Sequence, residues 1–378
     1  MPWKECTPVS SRYEFVLLAE QPDANVRELC RRFEISPKTA YKWLRRYREQ
    51  GEPGLLDKSR RPLSCPRRSS EDLEQAVLAL HEAYPAWGGR KLRSLMSGDE
   101  SARPHHSTLD AILRRHGRPL RYGADAGPAA TSRFEHEAPN DLWQMDFKGH
   151  FALFGQRQHC HPLTLLDDHS RFALCLAACA DERRETVRQQ LIRVFRRYGL
   201  PRRITSDNGP PWGSTRRGGL SALEVWLMRL GIKVGHSRPH HPQTQGKLER
   251  FHQTLKRELL HDAHFRTLEQ CQAGMDRWLE QYNQQRPHQA LGQKPPLTRY
   301  RSSPRPYPEK LLEVEYEPGE RVLTVHTKGQ IRLDGRMVFV SEGLAGERVA
   351  IRPAKEDGVL DIIFINKTVR QVDLRQPE

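Results

Sequence analysis

Apolar residues recur at helical spacing through the first 50 residues of the chain. Asn25 and Ser36 are good helix caps, and Pro37 suits the first turn of the helix that follows Ser36. The helix after Asn25 has one apolar face, formed by Val26, Leu29, Cys30 and Phe33. Two short helices joined by a tight turn predict a helix-turn-helix domain over residues 1–50.

The outer face of the second of these helices is basic. It carries Lys38, Lys42, Arg45 and Arg46. A basic second helix is typical of the element that enters the major groove, so we expect these four side chains to contact DNA. A small helical bundle with a solvated basic face would show the same pattern, and that alternative stays open.

Further helical spacing follows a linker. Residues 51–69 are rich in Pro, Arg and Ser, and they either follow a DNA backbone or act as a plain tether. Residues 70–120 predict a second helical, helix-turn-helix-like domain, although its slightly negative charge weighs equally for and against a role in reading DNA. Residues 121–139, with several Gly, Pro and Ala, predict a second linker.

The pattern changes in the last two parts of the chain. Over residues 140–305 the order β-β-β-α-β-α-β-α predicts an α/β core, a mixed sheet flanked by helices. Over residues 306–378 the hydrophobic period falls to two, and turn pairs such as Asp334-Gly335 separate short strands. Five or six short strands in that length predict a small β-barrel.

The charge indicates a polyanionic partner. The net charge is +15, with +6 in residues 1–70 and +12 in residues 141–305, so two separate modules carry the excess. No stretch approaches the roughly 20 apolar residues of a membrane-spanning helix, which excludes an integral membrane protein of that kind. Scattered cysteines without a Cys-x-x-Cys pair, and a start without an apolar signal region, predict a cytoplasmic, nucleoid-associated protein.

Three acids occupy distinctive places in the predicted core. Asp146 lies inside the first strand, where Asp is disfavoured; Asp207 follows the short fourth strand; Glu249 lies on the last helix. Two strand carboxylates and one helix carboxylate can bind two Mg²⁺ (or Mn²⁺) ions, which prefer hard oxygen ligands. Asp167 and Asp168 are weaker candidates, because paired acids in a turn usually hydrogen-bond the turn.

Three sequence motifs surround these acids. They are WQMD at residues 143–146, SDNG at 206–209 and SRPHHPQTQGKLER at 237–250. Together they resemble the DDE transposases of bacterial insertion sequences, which share their catalytic core with retroviral integrases. The resemblance covers residues 10–305 and implies an RNase H-like core, with Asp146, Asp207 and Glu249 as catalytic residues and metal ligands. The 41 residues between Asp207 and Glu249 are a few more than is usual in that family.

The resemblance also implies substrates and partners. A transposase of this kind binds terminal inverted repeats and target DNA as a homo-oligomer, and it catalyses Mg²⁺-dependent strand cleavage and strand transfer. Lys256 lies seven residues after Glu249, on the same helix face, and is a candidate for holding the transposon-end phosphate; an ordinary exposed lysine is the alternative. Two rival functions stay open: a catalytically inactive DNA-binding regulator derived from a transposase, and a metal-dependent nuclease without strand transfer.

Overall fold

The computed structural model describes residues 8–58, 68–118, 135–207, 209, 211–213, 219–236, 246–311 and 313–375. Residues 59–67 of the first predicted linker, most of the second linker, and the motif residues 237–245 with His240 and His241 therefore lie outside the described residues. The chain divides into two compact units, Met1–Ser70 and Glu71–Glu378.

The first unit is a bundle of short helices. Its elements are α1 (Pro8–Ala19), α2 (Val26–Arg32), α3 (Pro37–Gln50) and a 3₁₀ turn (Glu52–Leu55). Both predicted caps are confirmed, because Asn25 accepts from the Arg27 and Glu28 backbone amides and Ser36 accepts from that of Thr39. Phe15, Val16, Ala40 and Trp43 are among the buried residues of its core, which fixes α3 with its basic side outward.

The second unit begins with three helices. They are α4 (Glu71–Ala83), α5 (Gly89–Leu95) and α6 (His106–Arg115), and they pack around Trp87. Gly89 is required at the start of α5, since a Cβ there would lie 2.4 Å from the His106 carbonyl oxygen. The Lys91 ammonium donates to Glu258 Oε1 at 3.1 Å, and Arg286 Nε donates to the same carboxylate. An ion-paired contact therefore docks α5 on the core that follows.

The core is a mixed sheet with helices on both faces, as predicted. Its strands are β1 (Trp143–Phe147), β2 (Phe151–Ala152), β3 (His159–Asp167), β4 (Ala173–Cys179), β5 (Arg203–Ser206) and β6 (Lys233–His236). β1, β2 and β4 pair with β3 in antiparallel fashion, whereas β1, β5 and β6 run parallel. The long first strand predicted from composition divides into β1 and β2 at a turn where Gly149 has φ +84°.

Four helices cover this sheet. They are α7 (Arg184–Tyr198), α8 (Ala222–Arg229), α9 (Gly246–Leu255) and α10 (Leu268–Gln284). α7 and α8 pack on one face, and α9 and α10 on the other. Two details differ from expectation: α10 was not predicted, and the last predicted helix is regular only to Leu255, where a π-helical turn (Lys256–Leu260) begins.

The C-terminal segment does not form the predicted barrel. Its strands are β7 (Arg321–Thr324), β8 (Gln330–Leu333), β9 (Arg336–Phe339), β10 (Arg348–Pro353), β11 (Val359–Phe364) and β12 (Lys367–Asp373). They form an open sheet in the order β12-β11-β10-β7 and a separate β8-β9 hairpin, both antiparallel. Alternating hydrophobicity predicts one buried face per strand, and a sheet packed against a hairpin satisfies that pattern as well as a closed barrel does. The shared core includes Leu220 and Val225, so these strands pack beside α8.

Within the described residues, no helix combines the length and the apolar character that crossing a lipid bilayer requires.

Candidate active site

Asp146 lies on β1, on the face opposite the apolar cluster that β1 forms with α7 and α8. Trp143, Met145 and Phe147 alternate into that cluster, which leaves Gln144 and Asp146 on the other side of the strand. Gln144 is buried and Asp146 is half-buried. The strand alternation therefore accounts for an acid in a strand interior: it is directed away from the apolar layer.

Asp207 follows β5, the parallel neighbour of β1. The register pairs Trp143 with Ile204 and Gln144 with Thr205. The same offset continued to the end of both strands sets Asp207 beside Asp146, across one strand spacing of about 4.8 Å. The Gly209 backbone amide donates to Asp207 Oδ1 at 3.3 Å, which orients that carboxylate.

Glu249 lies in the first turn of α9. The other side of this helix is buried in the apolar cluster that it forms with α10, through Leu248, Phe251 and Leu255. Glu249 itself is exposed. Within the described residues, no group of three or more His, Cys, Asp or Glu residues is arranged to hold a metal ion. The structure thus brings Asp146 and Asp207 together at adjacent strand ends, and it does not gather all three acids into one cluster.

The charges of Asp207 and Glu249 nevertheless both act on the Asp146 carboxyl group. Burial first, and then the charges of Asp207, Glu182 and Glu249, raise the pKa of Asp146 to about 7, against a backbone hydrogen bond from Phe147. Burial also raises the pKa of Asp207, against the Gly209 amide and the charge of His236. Glu182 is a fourth carboxylate, and the sequence did not indicate it because it lies in a run of charged residues just before α7. Its Oε1 lies 2.9 Å from His161 Nδ1.

This raised pKa predicts a stability effect in metal-free buffer. Native Asp146 holds its proton up to about pH 7, whereas the unfolded carboxyl loses it near pH 4, so the free energy of unfolding falls as pH rises between these values. Asp146→Asn removes that dependence. We expect its thermal midpoint in EDTA to exceed that of the wild type at about pH 8 and to match it at about pH 4. An offset that is equal at both pH values would contradict the assigned pKa.

A buried ion pair fixes the start of α9. Lys247 Nζ donates to Asp168 Oδ1 at 2.6 Å, and Gln144 Nε2 donates to the same oxygen at 3.1 Å. Asp168 is fully buried, and its Oδ2 accepts from the His136 backbone amide. Asp167, in contrast, hydrogen-bonds its own turn through Ser170, as paired turn acids usually do. Sequence reasoning missed the anchoring role of Asp168 because its ion-pair partner lies 79 residues away.

Two histidines support the strand ends. Thr164 Oγ1 donates to the Asp146 carbonyl oxygen, so His252 Nε2, 2.8 Å from that hydroxyl, must donate to it. Burial, with the nearby Lys148 charge, lowers the pKa of His252 to about 4, which keeps the ring neutral. His236 instead contacts acceptors on both ring nitrogens, the Asp207 carbonyl and Glu224, and the Glu224 carboxylate raises its pKa. A charged His236 therefore adjoins the backbone of Asp207.

Two lysines directly follow the elements that carry Asp146 and Glu249. Lys256 is exposed and begins the π-helical turn after α9. Lys148 directly follows β1, and its pKa is lowered first by burial and then by the charge of Lys256, so the two ammonium groups are neighbours. Lys148 was not singled out in the sequence because a single lysine after a strand carries no pattern.

The four DNA-contacting residues predicted in the helix-turn-helix domain all lie on α3. Lys38, Lys42 and Arg45 are exposed, and Arg45 lies 4.0 Å from Glu49. Arg46 is half-buried, with its guanidinium 5.0 Å from the centre of the Trp43 ring. Tyr41 lies among them, and 60% of it is exposed. An exposed aromatic residue amid cations is a nucleic-acid contact candidate that the charge pattern alone did not indicate.

Five family descriptions match successive parts of the chain. They are a helix-turn-helix domain at residues 11–62, a homeodomain-like domain at 39–113, integrase core domains at 136–242 and 230–296, and the C-terminal domain of IS481 family transposases at 320–378. The integrase core matches span the strands and helices that carry Asp146, Asp207 and Glu249.

The relatives of this chain include proteins of two insertion elements. The chain is 26% identical to an uncharacterized 31.7 kDa protein of insertion element IS407 from Burkholderia multivorans, over 60% of this chain and 79% of that protein. It is 26% identical to an uncharacterized 39.2 kDa protein of insertion element IS476 from Xanthomonas euvesicatoria, over 64% and 68%. Among solved structures, the HTLV-2 integrase catalytic core domain in complex with magnesium is 19% identical, covering 44% of this chain and 99% of that one, with a TM-score of 0.35.

The sequence resemblance to transposases is therefore confirmed by independent matches along the chain. A helix-turn-helix segment, an integrase core and an IS481-type C-terminal segment follow one another, and two insertion-element proteins match across most of their length. The chain belongs to the DDE transposases of insertion sequences, enzymes of the polynucleotidyl transferase class.

Proposed function

We propose that this transposase binds the terminal inverted repeats of its element and catalyses Mg²⁺-dependent strand cleavage and strand transfer, with Asp146, Asp207 and Glu249 as the catalytic carboxylates. The observation that carries the proposal is the parallel register of β1 and β5, which sets Asp146 beside Asp207. The charge of Glu249 acts on the Asp146 carboxyl group from α9, a helix tied to β1 through Lys247 and Asp168.

The donor set fits a hard divalent cation. Carboxylate oxygens are the ligands that Mg²⁺ and Mn²⁺ prefer. The charges of Asp207, Glu182 and Glu249 add to the effect of burial in raising the pKa of Asp146, and bound cations would offset this repulsion. We propose that Asp146, Asp207 and Glu249 hold two such ions. When bound, two divalent ions supply Lewis-acid stabilisation and lower the pKa of bound water.

The chain's own residues supply position and charge around this site. In this proposal Lys148 and Lys256, whose charges act on each other, hold phosphate oxygens of the DNA end. His236 and Thr164 hydrogen-bond the backbone carbonyls of Asp207 and Asp146, which fixes the strand ends. The nucleophile is water or a DNA 3′-hydroxyl, so the proposal includes no covalent protein–DNA intermediate.

In this proposal different parts of the chain have different roles. Residues 1–50 recognise the repeats, and the boundaries predicted from the sequence place the catalytic core at 140–305. Two transposon ends must be held together for joining, so the active species is a homo-oligomer on DNA. Labelled transposon ends incubated with a target plasmid test the whole proposal: joined products support it, nicking without joining indicates a plain nuclease, and binding without cleavage indicates an inactive regulator.

The basic face of α3 predicts a loss of binding when its charge is removed. Arg45 is exposed and Arg46 packs on Trp43, so we expect Arg45→Ala to weaken repeat binding without changing the thermal midpoint. A lost base or phosphate contact of this kind costs about 1–3 kcal/mol, which raises Kd roughly tenfold or more. Arg336→Ala removes the same charge from exposed β9 and is the matched control. Equal affinity of the Arg45 and Arg336 variants for repeat DNA would exclude α3 as the reading element.

Loss of the Lys256 ammonium group should weaken binding of the DNA end more than it slows the chemical step. The change removes a charge-assisted phosphate contact, so Lys256→Ala should raise KM for the DNA end about tenfold with kcat within about threefold of the wild type. Lys294→Ala, at another exposed lysine of the same unit, should leave both constants unchanged. The role assigned to Lys256 fails if kcat falls while KM stays constant.

A further inference from the structure

A basic pocket lies at the end of the core sheet opposite to the candidate active site. Its volume is about 360 Å³, and its lining side chains include His136, Asp141, Arg202, Arg203, Lys233 and Arg305. Among these described lining residues Asp141 is the one carboxylate, against four permanent cations. Such an excess of positive charge in a concavity favours an anionic ligand.

Two of these cations lie side by side. β5 and β6 run parallel with Arg203 paired to Lys233, so both side chains project from the same face of neighbouring strands, and both are exposed. Like charges at paired strand positions are destabilising. In the part of the chain that the structure describes, neither side chain has a hydrogen bond or an ion pair. An anion between them would remove the repulsion.

A third cation, Arg305, is held in position by hydrogen bonds to backbone carbonyls. Arg305 donates from Nη1 to the Pro201 carbonyl at 2.7 Å, and from Nη2 to the carbonyls of Leu230 and Gly231 at 2.9 and 3.1 Å. A Cβ at Gly231 would lie 2.9 Å from Nη2, so the absence of a side chain there admits the guanidinium. A cation already held in one place loses little conformational entropy when a ligand binds.

The pocket lies too far from the acids to hold the reacting phosphate. Arg203 begins β5 and Asp207 follows its end, a separation of about 13 Å along the strand. We propose that the pocket binds the phosphodiester backbone of duplex DNA at a distance from the scissile phosphate. This inference rests on the proposed function, because DNA is the polyanion that the reaction brings to the core.

The salt dependence of DNA binding tests the pocket. Full-length wild type and Arg203→Ala/Lys233→Ala are titrated with a labelled duplex of arbitrary sequence in EDTA, at about 50–200 mM salt, by fluorescence anisotropy. Each lost phosphate contact lowers the slope of log K against log salt by about 0.9, so we expect a decrease of about 1.8. Lys328→Ala/Lys355→Ala removes two exposed lysines from the C-terminal segment and should leave the slope unchanged.

Other outcomes overturn the proposal. An unchanged slope in the pocket variant, or an equal decrease in the control, would exclude a specific DNA contact here. Binding of inorganic phosphate by the wild type and not by the pocket variant, with equal DNA slopes, would assign the pocket to a free anion. A thermal midpoint of the pocket variant at or above the wild-type value shows that it is folded. Failure of the proposed catalytic function would appear separately, as no end cleavage by the wild type in Mg²⁺.

Discussion

Asp146→Asn, Asp207→Asn and Glu249→Gln should each lower strand cleavage and joining at least about a thousandfold. In the proposed site each change would remove one oxygen ligand of divalent ions that would stabilise charge in the transition state by several kcal/mol. About 1.4 kcal/mol corresponds to a tenfold change in rate. The amide side chains are close in shape to the acids, so the variants should still fold and bind repeat DNA. Mg²⁺-dependent nicking of a labelled transposon end is the measurement.

The controls make this expectation specific. Asp357→Asn removes a carboxylate from an exposed turn of the C-terminal segment and should keep wild-type activity. Pairs of the three catalytic changes should be little worse than single changes, because groups that act as a unit are not additive. Near-normal activity of any one carboxamide variant would remove that acid from the proposed site.

Glu258→Ala should cause the largest loss of stability. The Glu258 carboxylate accepts from Arg286 Nε at 2.9 Å and from Lys91 at 3.1 Å, and its side chain is only 7% exposed. Arg286 is itself buried, so its charge would remain without compensation. Breaking a buried ion pair in this way costs about 3–5 kcal/mol. Denaturant unfolding of the full chain measures the free energy of unfolding.

Lys91→Ala is the matched comparison for this network. Lys91 is less buried than Arg286, and burial already lowers its pKa to about 8, so its ion pair should contribute less. The variant leaves Glu258 paired with Arg286, and we expect a loss well below that of Glu258→Ala. Equal losses in the two variants would show that docking of α5, rather than compensation of the Arg286 charge, determines the effect.

Local patterns in the sequence predicted most of the elements. The caps at Asn25 and Ser36, the helix α7 and the order of strands and helices along the core follow from spacing and turn residues, which act over a few positions. The C-terminal strands were predicted, but the prediction that they close into a barrel was wrong, because alternation specifies which face is buried and not which edges pair. The strand edges depend on contacts between residues distant in sequence.

The candidate site was also predicted only in part, because some of its contacts join residues distant in sequence. The three acids were predicted from their places on two strands and a helix and from the motifs around them, whereas the residues that support them are single residues with distant partners. Lys247 pairs with Asp168, and His252 reaches Thr164 across 88 positions. The π-helical turn after Leu255 likewise carries no sequence signal of its own. Residues that position a site are therefore harder to predict than residues that perform its chemistry.

Rescue of a cysteine variant by a softer metal tests the central claim most directly. A thiolate is a poor ligand for Mg²⁺ and a better one for Mn²⁺, so a direct ligand replaced by Cys should change the metal requirement. We predict that Asp146→Cys is inactive in end cleavage with Mg²⁺ and regains activity with Mn²⁺, while Asp146→Asn stays inactive with both. Full activity of Asp146→Cys in Mg²⁺, or equal inactivity of both variants in Mn²⁺, would contradict direct metal binding by Asp146.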